Sequence, residues 1–151
     1  MKTHSMKTLI IFILVLAVST ACSAANTDAS SGLNSSAGTT WVLQSYGPEN
    51  SQSTALADRQ VTLKFDFEQD TASGNGGCNS YSGSFSLTGD KLSFGPMMST
   101  LMACFPEEVM QQETTFNRLL SQVERYQLNQ DTLVLYTADG QELTFTASAA
   151  P

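Results

Sequence analysis

Between Val61 and Phe67 the sequence alternates without a break: Val61, Leu63, Phe65 and Phe67 are apolar, and Thr62, Lys64 and Asp66 between them are polar. Successive side chains of a β-strand point to opposite faces, so this period of two predicts a strand with one buried face and one wet face. Such a strand needs neighbours and a second layer to cover its apolar side. Thr40 to Tyr46 supplies an opening strand, with Trp41 and Leu43 on one face. Tyr81 to Leu87 and Lys91 to Phe94 flank Thr88-Gly89-Asp90, a short hairpin connection. Leu128 and the run Leu133 to Tyr136 flank the turn Asn129-Gln130-Asp131. Ala138-Asp139-Gly140 precedes Glu142 to Phe145, and Asp-Gly is a strong hairpin signal. Gly47 to Arg59, with its Pro, Asn and Ser, reads as a loop, and so does the glycine-rich stretch Asp70 to Gly77.

One segment breaks the rhythm. Pro106 to Val123 has Pro at a helix start, Glu107 and Glu108 in the first turn, and no Gly. Val109, Phe116, Leu119, Leu120 and Val123 make one apolar stripe at helical spacing. A single helix over roughly residues 107 to 121 is expected. The fold class is therefore mainly β with one helix (α+β). About eight short strands form a small antiparallel β-barrel or rolled sheet, with the helix covering an opening or edge.

The amino end carries a different message. Lys2 and Lys7 precede Leu9 to Val18, an unbroken apolar run of ten residues. A helix that spans a bilayer needs about 20, so the run fits the apolar region of a signal peptide instead. Met6 is an alternative start that leaves the same signal. Ser19-Thr20-Ala21-Cys22 resembles a lipobox, which makes Cys22 the mature first residue and the site of acylation. Ser19 stands where Leu is usual, and ordinary cleavage after Ala21 is the alternative. Ser23 after the cysteine favours sorting to the outer membrane. The stretch from Ser23 to Thr39 is Ser, Ala, Thr, Asn and Gly with a single Leu, and it reads as a flexible tether. The expected boundaries are signal peptide 1–21, tether 22–38, domain 39–147 and tail 148–151.

Removing residues 1–21 takes away two of the seven basic residues and none of the fourteen acidic ones, leaving a net charge of −9. That balance disfavours nucleic acid, whose affinity rests on neutralising phosphates, and it disfavours a polybasic membrane surface. His4 is the only histidine and leaves with the signal. A mature chain without histidine has no Ser-His or Cys-His nucleophile pair and no His-based zinc site. No catalytic residues and no cofactor are expected.

Two segments carry a family resemblance. Gly77-Cys78-Asn79-Ser80-Tyr81-Ser82-Gly83 resembles the GCNxYxG signature of the META/HslJ domain family, and Met98-Ser99-Thr100-Leu101-Met102-Ala103-Cys104 is similar to the last seven positions of its MxxTxMAC signature. Trp41 and Leu43 sit where the family's opening W-x-L falls, and Glu113 and Phe116 suit its helix. The resemblance covers about residues 39 to 147. It implies a compact β-barrel-like domain with one helix, in a heat-shock or envelope-stress lipoprotein linked to novobiocin tolerance. It brings no catalytic residues. The signature positions Gly77, Asn79, Tyr81, Gly83, Met98, Thr100, Met102 and Ala103 read as architectural.

Cys78 and Cys104 are the cysteines left once Cys22 is acylated. An even pair in an oxidising compartment favours a disulfide, the alternative being two buried thiols packed as small apolar groups. Asn79 reads as a turn residue bonding backbone. Tyr81 and Phe85 share a strand face and read as core. Met97, Met98 and Met102, with Met110 beyond, read first as core packing and only second as a copper site or adaptable groove. Asp66, Glu68 and Asp70 fail as a calcium loop, with Thr71 and Gly77 where Gly and Glu are required. No metal site is expected. The functional expectation is a non-catalytic, monomeric envelope lipoprotein, held to the membrane by its lipid and facing the periplasm, that binds an envelope partner. The alternatives are a barrel holding a small lipophilic ligand and an inhibitor of a secreted hydrolase, a role suited to an acidic protein meeting a basic enzyme.

Overall fold

The computed structural model describes residues 29–148. The expected signal peptide and Cys22 lie outside the described residues, as do residues 149–151 of the tail. In chain order the elements are α1 (Ala29–Asn34), β1 (Thr40–Pro48), β2 (Ser53–Thr54), β3 (Val61–Asp66), β4 (Thr71–Gly76), β5 (Ser80–Thr88), β6 (Lys91–Ser99), α2 (Glu107–Leu120), β7 (Val123–Asn129), β8 (Thr132–Thr137) and β9 (Gln141–Ser148).

The strands form one antiparallel sheet in the order β2-β1-β3-β4-β5-β6-β7-β8-β9, and β1 also pairs with β9, so the sheet closes on itself. The β1–β9 seam is long, from Thr40 opposite Ser148 to Pro48 opposite Gln141. On its other edge β1 divides its bonding. Trp41 and Val42 pair with β3, while Ser45 and Tyr46 pair with the two-residue β2. The result is a rolled β-barrel, as the strand periodicity predicts, with the helix of the apolar stripe and a second, short helix, α1, where the sequence predicts only tether.

Closure is weakest between β6 and β7, which are in register only at Lys91 and Arg125. The chain between those two strands is where α2 occurs. Its Val109, Phe116, Leu119 and Leu120 are buried, and the Phe116 ring lies 5.4 Å from that of Tyr81. The helix covers the splayed part of the barrel with the apolar stripe visible in the sequence. Glu107 and Glu108 occupy its first turn and Arg118 its last, each favourable to the helix dipole.

Antiparallel pairing assigns every connection to one end of the barrel. The near end carries α1, the β3–β4, β5–β6 and β7–β8 turns and the end of β9. The far end carries the β4–β5 connection, the segment 100–106, α2 and the β8–β9 turn. A continuous apolar cluster fills the space between, with Trp41, Leu63, Phe85, Phe116, Leu135 and Phe145 among its members. Phe65 packs edge-on to Phe85 at 5.2 Å between ring centroids.

Three sequence expectations change. Asp70 to Gly77, expected as a loop, contains β4, paired with β3 from Asp66–Thr71 to Val61–Gly76. The glycines serve close approach and not a turn: a Cβ on Gly74 would stand 1.9 Å from the carbonyl oxygen of Thr62. The loop expected over Gly47 to Arg59 contains β2, and β1 runs on to Pro48. The expected tether also ends earlier than residue 38. The single Leu in that stretch, Leu33, is 0% exposed and belongs to the core cluster. The Tyr126 phenol hydrogen-bonds the Leu33 backbone, and burial raises its pKa above the ordinary value, the Leu33 bond lowering it and the Asp90 charge raising it. Gly32 lies against Leu128, where an added Cβ would be 3.5 Å from its Cδ2. Leu33 thus stops the near end of the barrel.

Leu33→Ala is expected to lower stability by about 2–5 kcal/mol, the range for truncating a buried leucine. Urea denaturation of the exported chain checks this. A change within about 0.5 kcal/mol, as surface substitutions give, means that Leu33 is not packed.

Candidate functional site

At the far end β4 stops at Gly76, and Gly77 turns the chain with φ 103°, a conformation L side chains rarely adopt. The turn points the N–H groups of Cys78 and Asn79 toward α2. Glu113 accepts both: its Oε2 takes the Asn79 N–H at 2.6 Å and the Cys78 N–H at 3.1 Å. Its Oε1 accepts a bond from Asn79 Nδ2 at 2.7 Å. Gly76 leaves room for this carboxylate, since a Cβ there would lie 2.7 Å from Oε2. Glu113 and Asn79 are both buried.

Asn79 passes the restraint on to a second segment. Its Oδ1 accepts the Thr100 hydroxyl at 2.8 Å and the Met102 N–H at 2.7 Å, and its Nδ2 also donates to the Met102 carbonyl at 3.1 Å. The Thr100 N–H donates to Ser80 O at 3.1 Å. Cys104 is disulfide-bonded to Cys78, and its N–H donates to Met110 Sδ at 3.4 Å. A neighbouring residue of Glu113 ties down a third stretch. Gln112 accepts the Leu56 N–H at 2.7 Å and donates to Arg59 O at 3.2 Å.

The segment from Thr100 to Phe105 is therefore irregular in backbone yet fixed at Thr100, Met102 and Cys104. The large apolar side chains of this stretch, and of Met98 just before it, are exposed. Leu101 is 97% exposed, Phe105 81%, Met98 76% and Met102 57%. The expectation of methionine core packing holds for Met97, which packs against the core, and is corrected for Met98 and Met102. The Met98 backbone is held in the sheet opposite Ser82 and that of Met102 by Asn79, and both side chains are exposed. Solitary exposed apolar residues are ordinary on a protein surface, but four large ones within eight residues form a patch.

The structure divides the signature residues among three places. Gly77, Asn79 and Thr100 build the clamp. Tyr81 lies in the core, where burial pushes its phenol pKa up and its hydroxyl donates to Thr62 O at 2.7 Å. A Cβ on Gly83 would fall 2.5 Å from Met97 Sδ, so its lack of a side chain admits that methionine. Met98, Met102 and Ala103 are on the exposed segment. Sequence reasoning did not place Glu113, Gln112, Leu101 or Phe105 in a site. A signal existed for the first two, because a charge and an amide interrupt the apolar stripe of α2 on its buried side. Leu101 and Phe105 carry no polar pattern that marks exposure.

Among the described residues no group of three or more His, Cys, Asp or Glu could hold a metal ion, and no helix is long and apolar enough to cross a membrane. What the far end offers is a rigid apolar surface.

The META domain profile matches residues 34–150. The chain belongs to the META domain family. An NMR structure of a protein from Burkholderia xenovorans superposes with a TM-score of 0.69 at 28% identity, covering 80% of this chain and 89% of that one. A second NMR structure gives a TM-score of 0.55 at 24% identity over 72% and 87% of the two chains. A crystal structure of a DUF4847 family protein from Bacteroides vulgatus ATCC 8482 gives 0.52 at 12% identity over 74% and 94%, a likeness of fold alone. No curated protein matches the sequence. For this META domain, the profile's start at residue 34 falls beside Leu33, where the described packing begins.

Glu113→Gln is expected to destabilise the domain by about 2–3 kcal/mol, because one of its two oxygens becomes an amide that faces the Asn79 amide donor. Asn79 cannot turn over to relieve this, since its oxygen already holds Thr100 and Met102. Exposed Glu107→Gln is the control. Equal denaturation midpoints for the two variants would falsify the clamp. Cys78→Ser with Cys104→Ser, opening a loop of sequence separation 26, is expected to lower stability by about 3 kcal/mol, read from the same curves.

Proposed function

We propose that this META-domain chain is an exported envelope lipoprotein, acylated at Cys22, that acts by binding a partner and not by catalysis. The observation that carries the reading is the segment Met98 to Phe105. Its backbone is held by Asn79, Thr100 and a disulfide, while four large apolar side chains stand in solvent. Exposing that much apolar surface works against solubility, and fixing it removes the ordering entropy that binding otherwise costs. The export signal, the lipobox-like Ser19 to Cys22 and Ser23 support an outer-membrane anchor facing the periplasm. The family resemblance supports a setting of heat or envelope stress and novobiocin tolerance. Inhibition of a secreted hydrolase is one form such contact can take. A lipophilic cargo inside the barrel is the weaker reading, since Trp41, Phe116, Leu135, Leu143 and Phe145 occupy the interior.

The Leu101→Ser/Phe105→Ser variant alters exposed positions, so its stability is expected to stay within about 0.5 kcal/mol of the native chain. It is expected to survive heat and novobiocin challenge as poorly as a deletion strain. Native survival by the variant beside a sensitive deletion strain removes the loop from the function, and a deletion strain as robust as its parent removes the stress role. Incorporation of labelled palmitate, lost in Cys22→Ala, checks the anchor.

A further inference from the structure

The loop and the anchor leave the domain at opposite ends. The chain enters from Cys22 through α1, which stops the near end of the barrel, while Met98 to Phe105 lies at the far end. Six residues, Ser23 to Asp28, separate Cys22 from α1, and a flexible tether of that length has a mean reach of about 13 Å. The nine residues of β1 alone span roughly 30 Å at a strand's rise per residue. The average arrangement therefore turns the apolar loop away from the membrane that holds the lipid. The charge around the loop adds a second constraint. Exposed Glu107 and Glu108 follow it directly, and no Lys or Arg occurs between Lys91 and Arg118. An anionic bilayer surface repels such an end. So does a second copy of this chain, which sets glutamates against glutamates. A surface that pairs an apolar groove with a basic rim matches both the side chains and the charges.

We propose that the loop Met98–Phe105 docks a basic protein of the aqueous envelope, with Leu101 and Phe105 seated in an apolar groove and Glu107 and Glu108 meeting its basic rim. The inference rests on the binding reading above and adds the partner's class and orientation. Leu101 is the apex anchor and Phe105 the second, separated by backbone pinned at Met102 and Cys104. The complex forms with little rearrangement of the loop, and salt weakens it because the rim contributes by charge.

The test is in-cell photo-crosslinking of the full-length, anchored chain. A benzophenone amino acid is placed at Leu101 and, as the opposite-end control, at Glu68. The expected result is an adduct at position 101, absent at 68, with a protein whose mature isoelectric point is above neutrality. Phe105→Ser is expected to cut that adduct by about tenfold or more, as loss of an interface anchor does. Glu107→Gln/Glu108→Gln, confirmed as folded by circular dichroism, is expected to weaken it several-fold and to reduce its sensitivity to sodium chloride. Adducts to phospholipid at position 101, to a second copy of the chain, or to an acidic protein overturn the inference. So does a basic-protein adduct that both variants leave unchanged. If the loop variant phenocopies deletion while the adduct is lipid, the partner's class fails and the binding reading stands. If no adduct forms and the loop variant behaves as native, both fail.

Discussion

Glu113 reaches from the buried face of α2 and commits both carboxylate oxygens to a single turn, and the far end of the barrel is organised around that contact. A carboxylate taken out of water without partners costs several kcal/mol at least, so the Cys78 and Asn79 donors must be in place whenever the helix is. The converse also holds, because those N–H groups are buried and point at nothing else. Helix position and turn conformation are thus one choice. Gly76 and Gly77 are what the backbone needs to make it, the first by leaving space for the carboxylate and the second by its positive φ. Asn79 then carries the choice into the segment before the helix, using its oxygen for Thr100 and Met102. The Cys78–Cys104 bond repeats the same tie covalently.

The clamp fixes the helix that covers the part of the sheet least able to hold itself. Eight of the nine strands close a ring, but β6 and β7 share only one registered pair, Lys91 with Arg125. Hydrogen bonds along that seam are replaced by apolar burial under Phe116, Leu119 and Leu120, which is non-directional and by itself fixes no unique helix position. The Glu113 and Gln112 contacts add the direction that burial lacks. Gln112 ties α2 to the β1–β3 connection and Glu113 ties it to β4–β5, so the helix is held from two sides.

Much of this was legible in the sequence, and the illegible parts share a cause. Period-two alternation located β3, turn chemistry located the β5–β6, β7–β8 and β8–β9 connections, and an apolar stripe located α2, because each signal is local. β4 was invisible. Its glycines meet a neighbouring strand's carbonyl, a contact set by residues such as Thr62 that are remote in sequence, and locally they look like a turn. Leu33 was hidden in the same way: one leucine in a polar stretch cannot announce that a barrel end awaits it. In the site, the two signatures marked the right segments, and Asn79 was expected to bond backbone. Its simultaneous grip on Thr100 and Met102 needs the third dimension. Glu113 was readable in principle, as a charge within the buried stripe of a helix.

The clamp accounts for some of the second signature and leaves the rest over. Thr100 is needed for its hydroxyl, Cys104 for its sulfur, and position 102 for its backbone N–H and carbonyl. None of these needs asks for a thioether at 98 or 102, a leucine at 101 or a phenylalanine at 105. Folding asks little of them either, because Leu101 buries almost nothing and Phe105, Met98 and Met102 leave more than half of their surface in solvent. A segment built only to enter a helix would be served as well by Ser or Lys at those positions, with less hazard of aggregation. The polar half of the loop explains how its shape is held, and the apolar half is what folding leaves over and what the proposed contact would use.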